Sequence, residues 1–133
     1  MARILKCDMK NDCLVVQIFG DFILNEACSN FLEMLKVIEA YKANKVVVDC
    51  LQVMGAPSTI ERFSYAESGA DELMRLLCAK KIGEVKFAYV GIEPLFDKDH
   101  FGQIVANNRG ANIKTFNNVE DAFSWLGKDP ATK

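Results

Sequence analysis

Residues 45–59 read KVVVDCLQVMGAPST. Val46, Val47 and Val48 make a short β-branched run, Asp49 closes it, and Gly55, Ala56, Pro57, Ser58 and Thr59 supply a turn and a helix start. The unit is strand, loop, helix. In an open α/β sheet the loop leaving the carboxyl end of a central strand is where ligands and partners meet the fold, so a functional site is expected here.

Working outward, the segment before Lys45 carries apolar residues at helical spacing: Cys28, Phe31, Leu32, Leu35, Ile38 and Tyr41 face inward, and Asn30, Glu33, Lys36 and Glu39 face outward. Asn25 is placed to cap this helix, Glu26 lies in its first turn, and Ala43-Asn44 ends it. Further upstream, Ala2 to Lys10 reads as an edge strand with Ile4, Leu5, Cys7 and Met9 in weak alternation. The Asn11-Asp12 turn leads into a second strand from Cys13 that ends near Gly20-Asp21.

Downstream, Ser58 or Thr59 caps a long helix running to about Lys81, with Glu61 as a first-turn carboxylate and Ile60, Phe63, Ala66, Ala70, Leu73, Met74 and Leu77 on one face. Ser68-Gly69 interrupts that helix with a kink or a close contact. Val85 to Val90 is a strand with an exit loop to Leu95, and Asp97 or Asp99 opens a helix ended by Gly110. Asn112 to Phe116 is a short strand, and Val119 to Leu126 a last helix whose Trp125 covers a sheet edge. The order ββαβαβαβα predicts an α/β fold: a mixed, mostly parallel sheet of about five strands with about four helices.

A chain of 133 residues fits one domain, taken as residues 1–127 with 128–133 as a tail. Sixteen basic against eighteen acidic side chains leave a charge of −2, which argues against a nucleic-acid surface. No apolar run approaches the roughly 20 residues of a membrane span, and no secretory leader is visible. Cys7, Cys13, Cys28, Cys50 and Cys78 are scattered without a CxxC pair, and His100 is the single histidine; buried free thiols in a reducing, cytoplasmic setting are expected, with no metal and no cofactor.

Walker, GxGxxG, GxSxG and HExxH patterns are absent, so a non-enzymatic protein is expected. Ser58 and Thr59 stand at a helix start, where free N–H groups favour an anion; each is either a cap or a regulatory or ligand-bearing hydroxyl. Asp49 is either a turn carboxylate or a site acid. Arg109, in Asn107-Asn108-Arg109-Gly110, reads as meeting free carbonyls at a helix end. Phe63, Tyr65, Met74, Phe96 and Phe101 are either ordinary core or the wall of an apolar pocket between the long helix and the sheet.

The element order, the GDF turn at 20–22, the VVVD-to-PST junction and the ending FGQIVANNRGANIKTFNNVEDAFSWL resemble the STAS fold, in particular its SpoIIAA-like branch. In anti-sigma-factor antagonists of that fold the loop after the third strand carries Asp-Ser-Ser, whose serine is phosphorylated by a partner kinase. Ser58 and Thr59 stand where those hydroxyls fall, and Pro57 where the aspartate does. The resemblance implies a small regulatory or binding module contacting a protein partner, a regulator or kinase-like protein, through Gly55 to Arg62, with Asp49, Ser58, Thr59, Glu61 and Arg62 as candidate contacts. The alternative it implies is a domain holding an apolar, lipid-like small molecule under the long helix. The N-terminal edge strand would permit a homodimer.

Overall fold

Five strands and four helices alternate in the expected order: β1 (Arg3–Lys10), β2 (Cys13–Asp21), α1 (Leu24–Tyr41), β3 (Lys45–Met54), α2 (Thr59–Cys78), β4 (Lys86–Val90), α3 (Phe101–Asn108), β5 (Asn112–Phe116) and α4 (Val119–Leu126). The structure is a computed structural model describing residues 3–10 and 12–127, with side chains from Cys7. Ala2, Asn11, the side chains of Ile4 and Leu5, and the tail at 128–133 lie outside the described residues.

The sheet order is β1-β2-β3-β4-β5, with β1 antiparallel to β2 and every other pair parallel. Each connection from β2 to β5 therefore steps one strand in the same direction. Crossovers of one hand then place α1, α2 and α3 on one face and leave α4 to cover the other. Burial follows this division. Val46, Val48, Phe87 and Tyr89 pack with Met34, Leu35, Ile38 and Leu73, whereas Val47, Ala88 and Val90 pack with Ala122 and Leu126. Trp125 lies against Phe116 of the edge strand β5, ring centroids 5.8 Å apart, with the Lys86 ammonium 4.4 Å from its ring centre.

Asp49 does not end β3, which continues to Met54. Pairing runs Gln17↔Asp49 and then Phe19↔Gln52, so β3 holds one residue more than β2 over this step. The Asp49 carboxylate accepts the Leu51 N–H at 3.0 Å, satisfying a donor within the bulge. The bulge changes the phase of the strand: Val46, Val48 and Cys50 face the core under α1 and α2, and beyond it Val53 does. Pairing with β4 ends at Asp49↔Val90, so the last turn of β3 is held by β2 alone. A valine run suggests its own end, and a bulge beyond it hides the period-two signal.

Asn25 does not cap α1. The Phe22 N–H bonds to the Met54 carbonyl at 2.7 Å, which fixes the chain at the end of β3; the helix starts directly after it, with Ile23 as N-cap and Asn25 already inside the first turn. Within α1, Leu32 and Tyr41 are exposed and Met34 takes the buried position between them. In α2, Ile60 and Phe63 are exposed and the buried line is Ala66, Ala70 and Leu73. That helix ends at Cys78 rather than near Lys81, with Lys80 in the left-handed region. At Gly69, where α1 and α2 approach, a Cβ would lie 3.3 Å from the Phe31 ring, which would have to give by a few tenths of an ångström. All five cysteines are free, as expected; Cys13 and Cys50 are buried and Cys7 and Cys28 half-buried, while Cys78 is exposed and departs from the expected burial. No helix among the described residues is long and apolar enough to cross a membrane.

Candidate functional site

The carboxyl ends of the parallel strands β2, β3 and β4 lie at one end of the sheet, so the loops leaving them are neighbours. The Phe22–Met54 bond ties the first two together, and Arg62 ties the second to the third. Its Nη2 donates to the Pro94 carbonyl at 2.7 Å and to that of Leu95 at 3.2 Å. Gly55, at φ +130°, turns β3 into the 55–58 segment; the backbone angle requires glycine, and a Cβ there would also press on Phe22 at 3.3 Å.

Ser58 is the N-cap of α2 in a reciprocal capping box: its Oγ accepts the Glu61 N–H at 3.1 Å, and Glu61 Oε1 accepts the Ser58 N–H at 2.9 Å. Serine at the N-cap and glutamate three residues on is the local pattern that produces this. Thr59 is the first helical residue and is exposed. Glu61 and Arg62, the candidate charged contacts, are both engaged within the chain, Glu61 in the capping box and Arg62 on the Pro94 and Leu95 carbonyls. Asp49 sits in the β3 bulge, and its carboxylate is turned to the Leu51 backbone.

Around this junction four large apolar side chains stand in solvent. They are Ile23 at 46% exposed, Met54 at 64%, Ile60 at 77% and Ile92 at 55%, drawn from the three tied loops and the first turn of α2. None of the four stood out in the sequence as a surface residue, since isoleucine and methionine beside a strand end or within a helix read as core.

Beneath α2, on the core side of the same junction, lies a cavity of about 150 Å³. Tyr65 and Phe96 are in its wall, together with Phe22, Phe31, Phe87 and Tyr89. Phe63, Met74 and Phe101 are not. Phe63 lies outside under the Arg109 guanidinium, Met74 packs into the core with its sulfur against Gly110, and Phe101 packs with Ala66, Val105 and Ala106. Helical spacing put Phe63 and Met74 near the right helix but could not decide which side of it faced inward.

The Tyr65 and Tyr89 hydroxyls meet at 2.9 Å in the cavity wall, and burial raises both phenolic pKa values. Burial also pushes the Cys50 thiol up to about 12, with the Asp49 carboxylate adding to the effect. These groups are neutral at ordinary pH, so the cavity floor presents no charge. At its rim Arg62 Nε stands 3.8 Å from Asp97 Oδ1, too far for a hydrogen bond, while the Asp97 carboxylate accepts the Phe101 N–H at 3.0 Å and opens α3. His100, Thr115 and Gln103 form a further rim chain. Thr115 donates from Oγ1 to Gln103 Oε1 at 3.0 Å and so receives the proton on His100 Nδ1 at 2.7 Å.

A crystal structure of an anti-sigma factor antagonist from Mycobacterium paratuberculosis matches this architecture with a TM-score of 0.60, over 96% of each chain and at 16% sequence identity. The fold is STAS-type. No family model matches the chain, and no curated protein matches its sequence. Within the STAS-type fold the helix after the third strand is α2, and Ser58 at its cap is the position that the sequence resemblance singled out. Arg109, read from sequence as a helix-end cap, belongs to the tertiary packing of this fold. Its Nη2 meets Glu67 Oε2 at 2.6 Å rather than the carbonyls of α3.

Proposed function

We propose that the protein is a non-enzymatic, cytoplasmic regulatory module of STAS type, residues 1–127 forming one domain, that docks a protein partner on the rim around Gly55 to Arg62. The observation that carries this is the set of exposed Ile23, Met54, Ile60 and Ile92 on loops pinned by Phe22–Met54 and Arg62–Pro94 bonds. Apolar side chains held on a rigid frame bind without a large ordering cost. The structural neighbour, an anti-sigma factor antagonist, supports a partner that is itself a regulator or kinase-like protein. Phosphorylation of Ser58 or Thr59 is a subsidiary form of the reading, in which a phosphate would sit at the start of α2, beside free N–H groups.

The test is a photo-crosslinking amino acid placed at Ile60, with the same residue at Lys36 on the outer side of α1 as control, in the producing cells. One discrete adduct at 60, absent at 36 and lost when Met54→Asp is added, is the expected result. Equal labelling at both positions, or none at 60, would count against the rim. An adduct with a second copy of this chain would replace the foreign partner by a homodimer.

The cavity supports a second reading, a small-molecule site. Its volume of about 150 Å³ is that of an engineered cavity able to admit benzene. A compact molecule fits such a space whole, whereas a long acyl chain would have to extend beyond its mouth.

A further inference from the structure

Hydrogen-bond accounting around the cavity narrows the second reading further, on which this inference rests. Tyr65 and Tyr89 bring two hydroxyl protons and share one hydrogen bond between them. One proton is spent in the pair, and no other acceptor among the described residues meets either hydroxyl. Arg62, one turn before Tyr65 on the same face of α2, carries a second unspent donor: its Nε is buried and has no acceptor among the described residues. Both residues are in the cavity wall, which is otherwise mostly carbon.

A water molecule could take up these donors, but at a share of about 30 Å³ it would fill only a fraction of the space. An occupant with an apolar body and one acceptor oxygen satisfies the volume and takes up the free proton of the tyrosine pair. Charge selects further: Arg62 and Asp97 stand together in the wall, 3.8 Å apart, so neither an anionic nor a cationic head finds an uncompensated charge there, and among the described residues the lining holds no other carboxylate, lysine or arginine. The geometry points to a binding site for a small, uncharged, ring-sized molecule bearing a carbonyl-type acceptor, whose oxygen receives the free proton of the Tyr65–Tyr89 pair.

Calorimetric titration with cyclohexanone and with methylenecyclohexane, its shape-matched counterpart lacking the oxygen, tests this. Both should bind the wild type, and the affinity ratio favouring the ketone should fall about fivefold in the Tyr65→Phe/Tyr89→Phe double variant, the size of one net hydrogen bond. Tyr89→Phe alone leaves one hydroxyl with its proton free and should retain the ratio. Ala70→Leu, which fills the cavity from α2, should abolish binding of both. Should the double variant not fold, the carbonyl carbon resonance of labelled cyclohexanone on the wild type decides: a downfield position relative to hydrocarbon solution is expected, and its absence overturns the acceptor assignment. Binding of both probes with an unchanged ratio in the double variant also overturns that assignment and leaves the cavity site standing. Failure of both to bind overturns the site itself.

Discussion

Arg109, at the end of α3, reaches across to Glu67 on α2 at 2.6 Å while its guanidinium carbon lies 5.4 Å from the centre of the Phe63 ring. One side chain thus joins α3 to α2 through a charge pair and an aromatic face at once. Both charged partners are about one-third exposed, so the ion pair is screened and contributes modestly.

Arg109→Ala should therefore cost about 1 kcal/mol in urea denaturation, the sum of a partly exposed pair and an exposed cation–π contact. A double-mutant cycle with Glu67→Ala isolates the pair, and its coupling should shrink in molar salt. A coupling unchanged by salt would show that packing rather than charge carries the interaction.

The Ser58–Glu61 box predicts a different profile. Ser58→Ala should lower stability by about 1 kcal/mol, and Ser58→Asp should stay near wild type because aspartate caps as well as serine. An acidic replacement therefore leaves the fold intact, so any change it causes in partner binding reports on the rim and not on a melted helix. Circular dichroism thermal melts of the two variants check this.

At alkaline pH the buried neutral groups govern stability. Cys50 stays protonated in the folded protein until about pH 12, whereas in the unfolded chain it ionises near the ordinary thiol value. The unfolded state therefore loses its proton first, and stability falls as pH rises, by about 1–2 kcal/mol at pH 10 from this thiol. The raised Tyr65 and Tyr89 hydroxyls extend the loss above pH 10 in the same direction. Urea midpoints should decline from pH 8 to pH 11, and phenolate absorbance should show two of the three tyrosines protonated until the protein unfolds.

Gly69→Ala should raise stability by about 0.5–1 kcal/mol. Alanine is the better helix former by about that amount, and the Phe31 ring that its Cβ would approach borders the cavity and has room to yield a few tenths of an ångström. Gly69→Leu should instead cost about 1–3 kcal/mol through overpacking. A loss on the alanine change would mean that the ring is held fast.

What the sequence disclosed was what depends on near neighbours. Ser58 and Glu61 are three residues apart, and their spacing alone announces the cap; the strand and helix order follows from periodicity and turn residues in the same way. Asn25 misled because the start of α1 is set by Met54, far away in the chain. Arg62 and Pro94, Tyr65 and Tyr89, and Glu67 and Arg109 are separated by 32, 24 and 42 residues, and no local pattern reveals where such side chains end up. Phe63 and Ile60 read as core because the long helix has more apolar residues than its buried line of Ala66, Ala70 and Leu73 can use. Of that surplus, Ile60 stands on the rim and Phe63 lies under Arg109.

The bulge after Asp49 makes the arrangement of that rim a matter of arithmetic. Because side chains alternate along a strand, Val53, three residues after Cys50, would point away from the core without the bulge. The Gly55 turn, the Ser58 cap and the first turn of α2 would then inherit a misplaced origin. Substituting Leu51 changes one surface side chain, whereas deleting it would remove the bulge itself and leave Val53 two residues after Cys50, still on the core side. The phase of this segment is thus set by how the bulge divides residues between β3 and β2, and not by which side chain stands at 51.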